Sequence, residues 1–250
     1  MKKQLAIVSL LSVAAVSMLA TSANAAEVSN ETTDAEISFN TGKGTDPGKG
    51  PFKDNLSLVF KPSTFQFGKQ DATAGISTFY NTVTDPKKQY LVVNDDRPLD
   101  PTTKNLSKWT LTAKLSAMTT GTEKEGLNAK LSYTLGAATE YKIGETMTTN
   151  GDDYIPNDPE TNSTEALGGP LNVGTEKLKF GDGTSSTVTL EAGASSTTDV
   201  IAKTDVTTKK VGVASKVDNV KLIVTNAEKS GAAGKTYKGT VTWSLDDAPK

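Results

Sequence analysis

The sequence predicts an all-β protein, an antiparallel β-sandwich or barrel-like pair of sheets with long polar loops. Three observations predict it. Several runs alternate apolar and polar residues strictly, which puts one strand face on a core and the other in water. Clusters of Gly, Ser, Thr, Asn and Pro punctuate those runs as turns and loops. No stretch after the first 25 residues sustains helical periodicity, and only 35% of the chain is apolar.

The elements follow in order. Lys2 and Lys3 precede an apolar stretch from Leu5 to Ala20, and Ala23-Asn24-Ala25 follows. A basic start, a short apolar run and an A-x-A site predict a secretory signal peptide over residues 1–25, cut after Ala25. The apolar run is short for a bilayer span, so no membrane segment is expected in the mature form. Residues 26–250 are expected to form a single β domain, with 144–194 a loop-rich insertion. The Gly- and Pro-rich "SFNTGKGTDPGKGPFKDN" reads as a loop. In "NLSLVFKP", Leu56, Leu58 and Phe60 alternate with Ser57 and Val59, and "STFQFGKQ" sets Phe65 and Phe67 on one face. "KQYLVVND" is continuously apolar, as a fully buried strand is.

The next two runs are the clearest. "SKWTLTAKLS" places Trp109, Leu111, Ala113 and Leu115 on one face, and "GLNAKLSYTLG" does the same with Leu127, Ala129, Leu131, Tyr133 and Leu135. The "TGTEKEG" between them predicts that they pair as an antiparallel hairpin. Polar, Gly-rich chain then runs to about Ala194, with "SSTVTLEAG" a short strand inside it. "VDNVKLIVTNAEK" aligns Val220, Leu222 and Val224; the last strand aligns Tyr237, Val241, Trp243 and Leu245.

Composition narrows the function. Net charge is −2, which supplies no basic field for nucleic acid or anionic lipid. Cysteine and histidine are both absent, which removes disulfides, thiol nucleophiles, histidine triads and Cys/His zinc sites. "NGDDYIPNDPE" gathers Asp152, Asp153, Asn157, Asp158 and Glu160, but not at EF-hand spacing, and reads as a solvated acidic loop. No cofactor and no metal are expected. No pair of acids sits in a distinctive catalytic motif, so no enzyme is expected. Export without cysteine points to a host that does not rely on disulfides, such as a Gram-positive bacterium. No apolar tail, sorting motif or basic anchor is seen after Trp243, so retention at the surface is expected to rest on the folded domain.

Two stretches carry a family resemblance. "LVVNDDRPLDPTTKNLSKWTLTAKLS" and "YKGTVTWSLDDAP" resemble the signature stretches of the WxL-domain surface proteins of Gram-positive bacteria. Asp95, Asp96, Arg97, Trp109, Thr110, Leu111, Thr112 and Ala113 match the first. Tyr237, Thr240, Thr242, Trp243, Leu245, Asp247, Ala248 and Pro249 match the second. "LSLVFKPSTFQFG" is similar to a proximal segment of the family, and Asn150–Gly174 matches least. The resemblance covers nearly all of the mature chain, as in the small members of the family. It implies a secreted, non-catalytic protein at the cell-wall surface, held non-covalently with peptidoglycan as the ligand. It also implies other cell-surface proteins as partners. The alternative is a structural or adhesive subunit retained by pairing with such partners, for which the last strand could offer its edge.

Two readings of the motif residues Trp109, Leu111, Trp243 and Leu245 stand at this point. They are core side chains, favoured by their place on the apolar faces, or an indole stacks on wall sugars. Asp95, Asp96 and Arg97 are the polar binding candidates, with an internal Arg–Asp pair that staples the loop as the competing reading.

Overall fold

The computed structural model describes residues 55–85, 89–121, 126–141 and 167–247 in full and the backbone of 27–36. The expected signal peptide, the first glycine-rich loop and the acidic loop at 150–160 lie outside the described residues.

The described residues form strands and connections with no helix. In chain order the strands are β1 (Glu27–Glu36), β2 (Leu56–Phe60), β3 (Thr64–Gln66), β4 (Ile76–Tyr80) and β5 (Tyr90–Asp95). There follow β6 (Trp109–Leu115), β7 (Ala129–Leu135), β8 (Thr139–Tyr141), β9 (Leu167–Pro170) and β10 (Leu178–Phe180). The last are β11 (Thr187–Glu191), β12 (Thr198–Lys203), β13 (Gly212–Thr225) and β14 (Lys238–Asp246). Sheet one has the order β10-β12-β6-β14-β1-β3, antiparallel except for the β1–β3 step. Sheet two has the order β11-β7-β13-β5-β2, with β4 and β8 also on β13 and β9 on β8. The architecture is the expected all-β pair of sheets.

The core forms where the alternating faces of the two sheets meet, the arrangement of a sandwich. Sheet one contributes Trp109, Leu111, Leu115, Ile201, Val241, Trp243 and Leu245; sheet two contributes Leu91, Val93, Leu131, Tyr133, Leu222 and Val224. A second, smaller cluster of Val59, Phe60, Val92, Tyr141 and Ala214 covers the other side of β5. That cover explains the unbroken apolar run of β5: Leu91 and Val93 face the main core, while Val92 faces the second cluster.

Three expectations are corrected. First, β6 and β7 do not pair as a hairpin. They lie in different sheets; an isolated bridge between Met118 and Leu127, outside both strands, joins the described parts of the connection. A period of two orients side chains toward a core but does not choose between a neighbour in the sheet and a partner across it. Second, Phe60 does not share the face of Leu56 and Leu58. The β2–β5 register shifts between Leu58 and Phe60, and the bulge turns Phe60 toward the second cluster with Val59. Third, the last strand is no edge, because β14 is paired with β6 on one side and β1 on the other. It has no free edge for a partner strand. Within the stretch expected as an insertion, the described residues after 166 supply β9, β10 and β11, and β10 and β11 are outer strands of sheets one and two.

Candidate functional site

The two Trp-x-Leu motifs face each other on neighbouring strands. β6 and β14 run antiparallel with Leu111 opposite Leu245, Ala113 opposite Trp243 and Thr110 opposite Asp246. The two leucines therefore form a direct cross-strand pair, and the tryptophans lie at opposite ends of it. Ala113, two residues after Leu111, is small where the facing residue is an indole. The pairing of a large residue with a small one lets both strands keep an unstrained spacing. Trp109 is 1% exposed, and Leu111, Trp243 and Leu245 are fully buried.

Trp243 packs across the sandwich. Its ring centroid lies 6.2 Å from that of Tyr133 on β7, tilted by 51°. Tyr133 in turn stacks on Phe65 of β3 at 6.5 Å. One ring from sheet two is thus held by two rings from sheet one, a contact geometry aromatic side chains prefer. The Tyr133 hydroxyl is buried with no hydrogen-bond partner, and burial pushes its ionisation far above the usual tyrosine range.

Asp95, Asp96 and Arg97 gather at the end of the sandwich where Trp109 sits. Asp95 continues the inward phase of Leu91 and Val93, so its carboxylate enters the core end and is fully buried. Arg97 grips it through Nε at 2.8 Å and Nη2 at 3.1 Å, and Lys203 Nζ donates at 3.0 Å. Lys203 comes from the other sheet, at the end of β12 and in register with Trp109. Burial lowers the ionisation range of its ammonium, opposed by the neighbouring Asp95 carboxylate. Arg97 also donates to Ser107 Oγ at 2.6 Å and to the Ser107 carbonyl at 2.9 Å, and Ser107 Oγ reaches the Asp247 carbonyl at 3.4 Å. Asp96 accepts Lys210 Nζ at 2.7 Å. The cluster thus ties β5, β12, the segment before Trp109 and the end of β14 into one knot.

A family model described as WxL domain surface cell wall-binding matches residues 26–249. The chain belongs to the WxL family. No curated protein and no solved structure matches it. The WxL domain is a cell-wall-binding surface domain, and this protein is a surface protein that binds cell-wall components.

In this WxL domain the signature residues converge by packing. Both tryptophans are sealed, so neither offers a ring face to a ligand in this structure. The Asp95 carboxylate is taken up by two internal cations, and the Arg97 fork is spent on Asp95 and Ser107. The acidic residues Asp152, Asp153, Asp158 and Glu160 lie outside the described residues. Among the described residues no cluster of three or more acids is placed to hold a metal ion. Lys203, Lys210, Ser107 and Tyr133 are the partners that reading the motifs alone missed. Lys203 had a signal: it stands in phase with Ile201 on the core face, as Asp95 stands in phase with Val93. A cation and an anion each in phase with a core face call for one another, since neither is tolerated there alone.

Proposed function

We propose that the protein is exported, loses residues 1–25, and is held non-covalently on peptidoglycan by a single folded domain spanning the rest of the chain. The observation that carries this reading is the WxL match over residues 26–249. It leaves almost none of the mature chain outside the wall-binding domain. The domain acts as a binder, not a catalyst. Asp95 and Asp96, the matched acids of the first signature stretch, are each held by a lysine at 3.0 Å or less. Each of these carboxylates thus has an oxygen committed to an internal cation.

In this reading the motif tryptophans build the body, and the outer surface of that body meets the wall. Sedimentation of the purified protein with protein-free sacculi tests it. Co-sedimentation without release of soluble sugar is the expected result. A protein that stays in the supernatant overturns the reading, and release of soluble sugar overturns its non-catalytic part. Retention that requires other surface proteins would instead favour a subunit held by partners.

A further inference from the structure

The outer side of sheet two carries a cleft at a break in its strand pairing. β4 and β5 lie end to end along one edge of β13: Tyr80 faces Lys221, and Tyr90 faces Lys216. Between them, among the described residues, only single backbone hydrogen bonds at the two strand ends hold to β13: Asn81 N–H donates to the Val220 carbonyl at 2.9 Å, and the Gln89 carbonyl accepts Val217 N–H at 2.8 Å. On its other edge β13 slips register against β7 between Asp218 and Lys221, and Asn219 within this bulge has a φ of 51°. Bulges re-aim side chains and recur beside functional sites, and a left-handed non-glycine residue is a conformation worth explaining. The cleft so formed has a volume of about 220 Å³, and Tyr80, Asn81, Gln89, Lys216, Asp218 and Asn219 are among its lining residues.

Two of these residues are anomalous in opposite ways. Gln89 is only 6% exposed, yet neither its Oε1 nor its Nε2 has a hydrogen-bond partner. Buried side-chain amides are nearly always paired, because an unpaired one disfavours the fold. Tyr80 is a large ring left 68% exposed at the same cleft. Asn81 differs from Gln89, since its Oδ1 accepts the backbone N–H groups of Gln66 and Val83. Lys216 and Asp218, the charged side chains lining the cleft, pair with each other at 2.8 Å. Among the described residues that line the cleft, these two charges cancel.

An open aromatic face beside a planar donor–acceptor pair in a charge-balanced cleft suits a sugar ring. A pyranose offers a C–H face to the aromatic ring. On an N-acetylated sugar of a β-1,4-linked chain, the acetamido N–H and the neighbouring 3-hydroxyl donate and accept side by side, so one carboxamide can take both. Resting on the wall-binding reading above, we propose that this cleft is a subsite for the glycan strand of the wall, with Tyr80 stacking on one hexopyranose and Gln89 hydrogen-bonding its substituents. The stem peptide fits less well, because its free carboxylates would meet a cleft whose lysine is already paired.

Calorimetric titration with a soluble β-1,4-linked N-acetylglucosamine tetramer tests the subsite, with a free stem pentapeptide as the second probe. Wild type is expected to bind the tetramer, and Tyr80→Ala and Gln89→Leu to weaken it by roughly tenfold or more. Tyr80→Ala removes an exposed ring and leaves the Tm unchanged. Gln89→Leu removes an unmet buried amide, so its Tm is unchanged or raised. A marked fall in Tm for Gln89→Leu would show that the amide serves the fold and would overturn its assignment to the ligand. No response to the tetramer, equal affinity in Tyr80→Ala, or a response only to the pentapeptide would overturn the subsite. The two readings fail separately. Wild type washing off sacculi removes the wall-binding reading, whereas wild type retained on sacculi with no tetramer response removes this subsite alone.

Discussion

Replacing Trp243 by alanine removes the ring on which Tyr133 packs and opens a void between the sheets. The expected cost is about 3–5 kcal/mol, read as a fall in the urea midpoint at constant slope. Tyr133→Phe should act the other way. It keeps the ring contacts with Phe65 and Trp243 and deletes a hydroxyl that is buried without a partner. Relief of such a group is worth up to about 1–3 kcal/mol at neutral pH. The pH dependence gives a second check. The Tyr133 ionisation is raised in the folded state above its ordinary value of 10.0, so the unfolded chain releases this proton first. The stability tied to it is complete below that pH and is lost as the pH climbs beyond it. Tyr133→Phe should therefore lose less stability than wild type between neutral pH and strong alkali, measured as urea midpoints across that range. Asp95→Ala leaves Lys203 and Arg97 at the core end with no anion between them, at an expected cost of about 3–5 kcal/mol in the same assay. What these side chains touch was only partly legible. The phase of Trp243 along its strand is written in the sequence, whereas Asp95, expected in a loop after a buried strand, is the last residue of β5; the identity of the residues facing them is not legible.

At the scale of elements, the pairing of β6 with β14 gives the motif its form. Leu111 meets Leu245 and Ala113 meets Trp243, so the motif reads as two complementary halves of one seam. Ala113→Leu should crowd the indole and destabilise by about 1–3 kcal/mol, with a smaller effect expected in the presence of Trp243→Ala because the void then accepts the added carbons. A double-mutant cycle in urea measures that coupling, and strict additivity would contradict the seam. The strands themselves were well marked where one face is apolar, as in β6, β7 and β14. β1 was missed, since Glu27–Glu36 contains little alternation to read. Its place between β14 and β3 is decided by backbone pairing with strands from the far end and the near end of the chain. The expected β6–β7 hairpin failed for a related reason: a turn-like connection can carry the chain from one sheet to the other as readily as back along the same one.

For the whole molecule, both tryptophans are buried in the core, and we propose that adhesion is separate from the residues that name the family. In our reading the wall sees the outer surfaces, and the motif acts through the fold. Trp243→Ala held well below its lowered Tm should still sediment with sacculi to the extent that wild type does. Binding should be lost on heating in parallel with unfolding, followed by circular dichroism. A variant that is fully folded and yet released would place the indole in the interface. Seating of β1 against β14 joins segments from opposite ends of the described chain, so the sandwich closes only when nearly all of it is present.

The sequence by itself determined that the chain is all β, which residues of the strictly alternating strands β6, β7 and β14 face inward, and that its two Trp-x-Leu stretches mark the WxL family. These are local or compositional properties: alternation has a period of two wherever a strand is half buried, and a motif is read along one chain. Only the tertiary structure decided which strands are neighbours, that the motifs are in register with Leu111 on Leu245, that Asp95 finds Lys203 across the sandwich, and that Gln89 lies unmet beside an exposed Tyr80. Each of those facts depends on segments distant along the chain meeting in space, and strand periodicity carries no information about which distant segment a strand will meet.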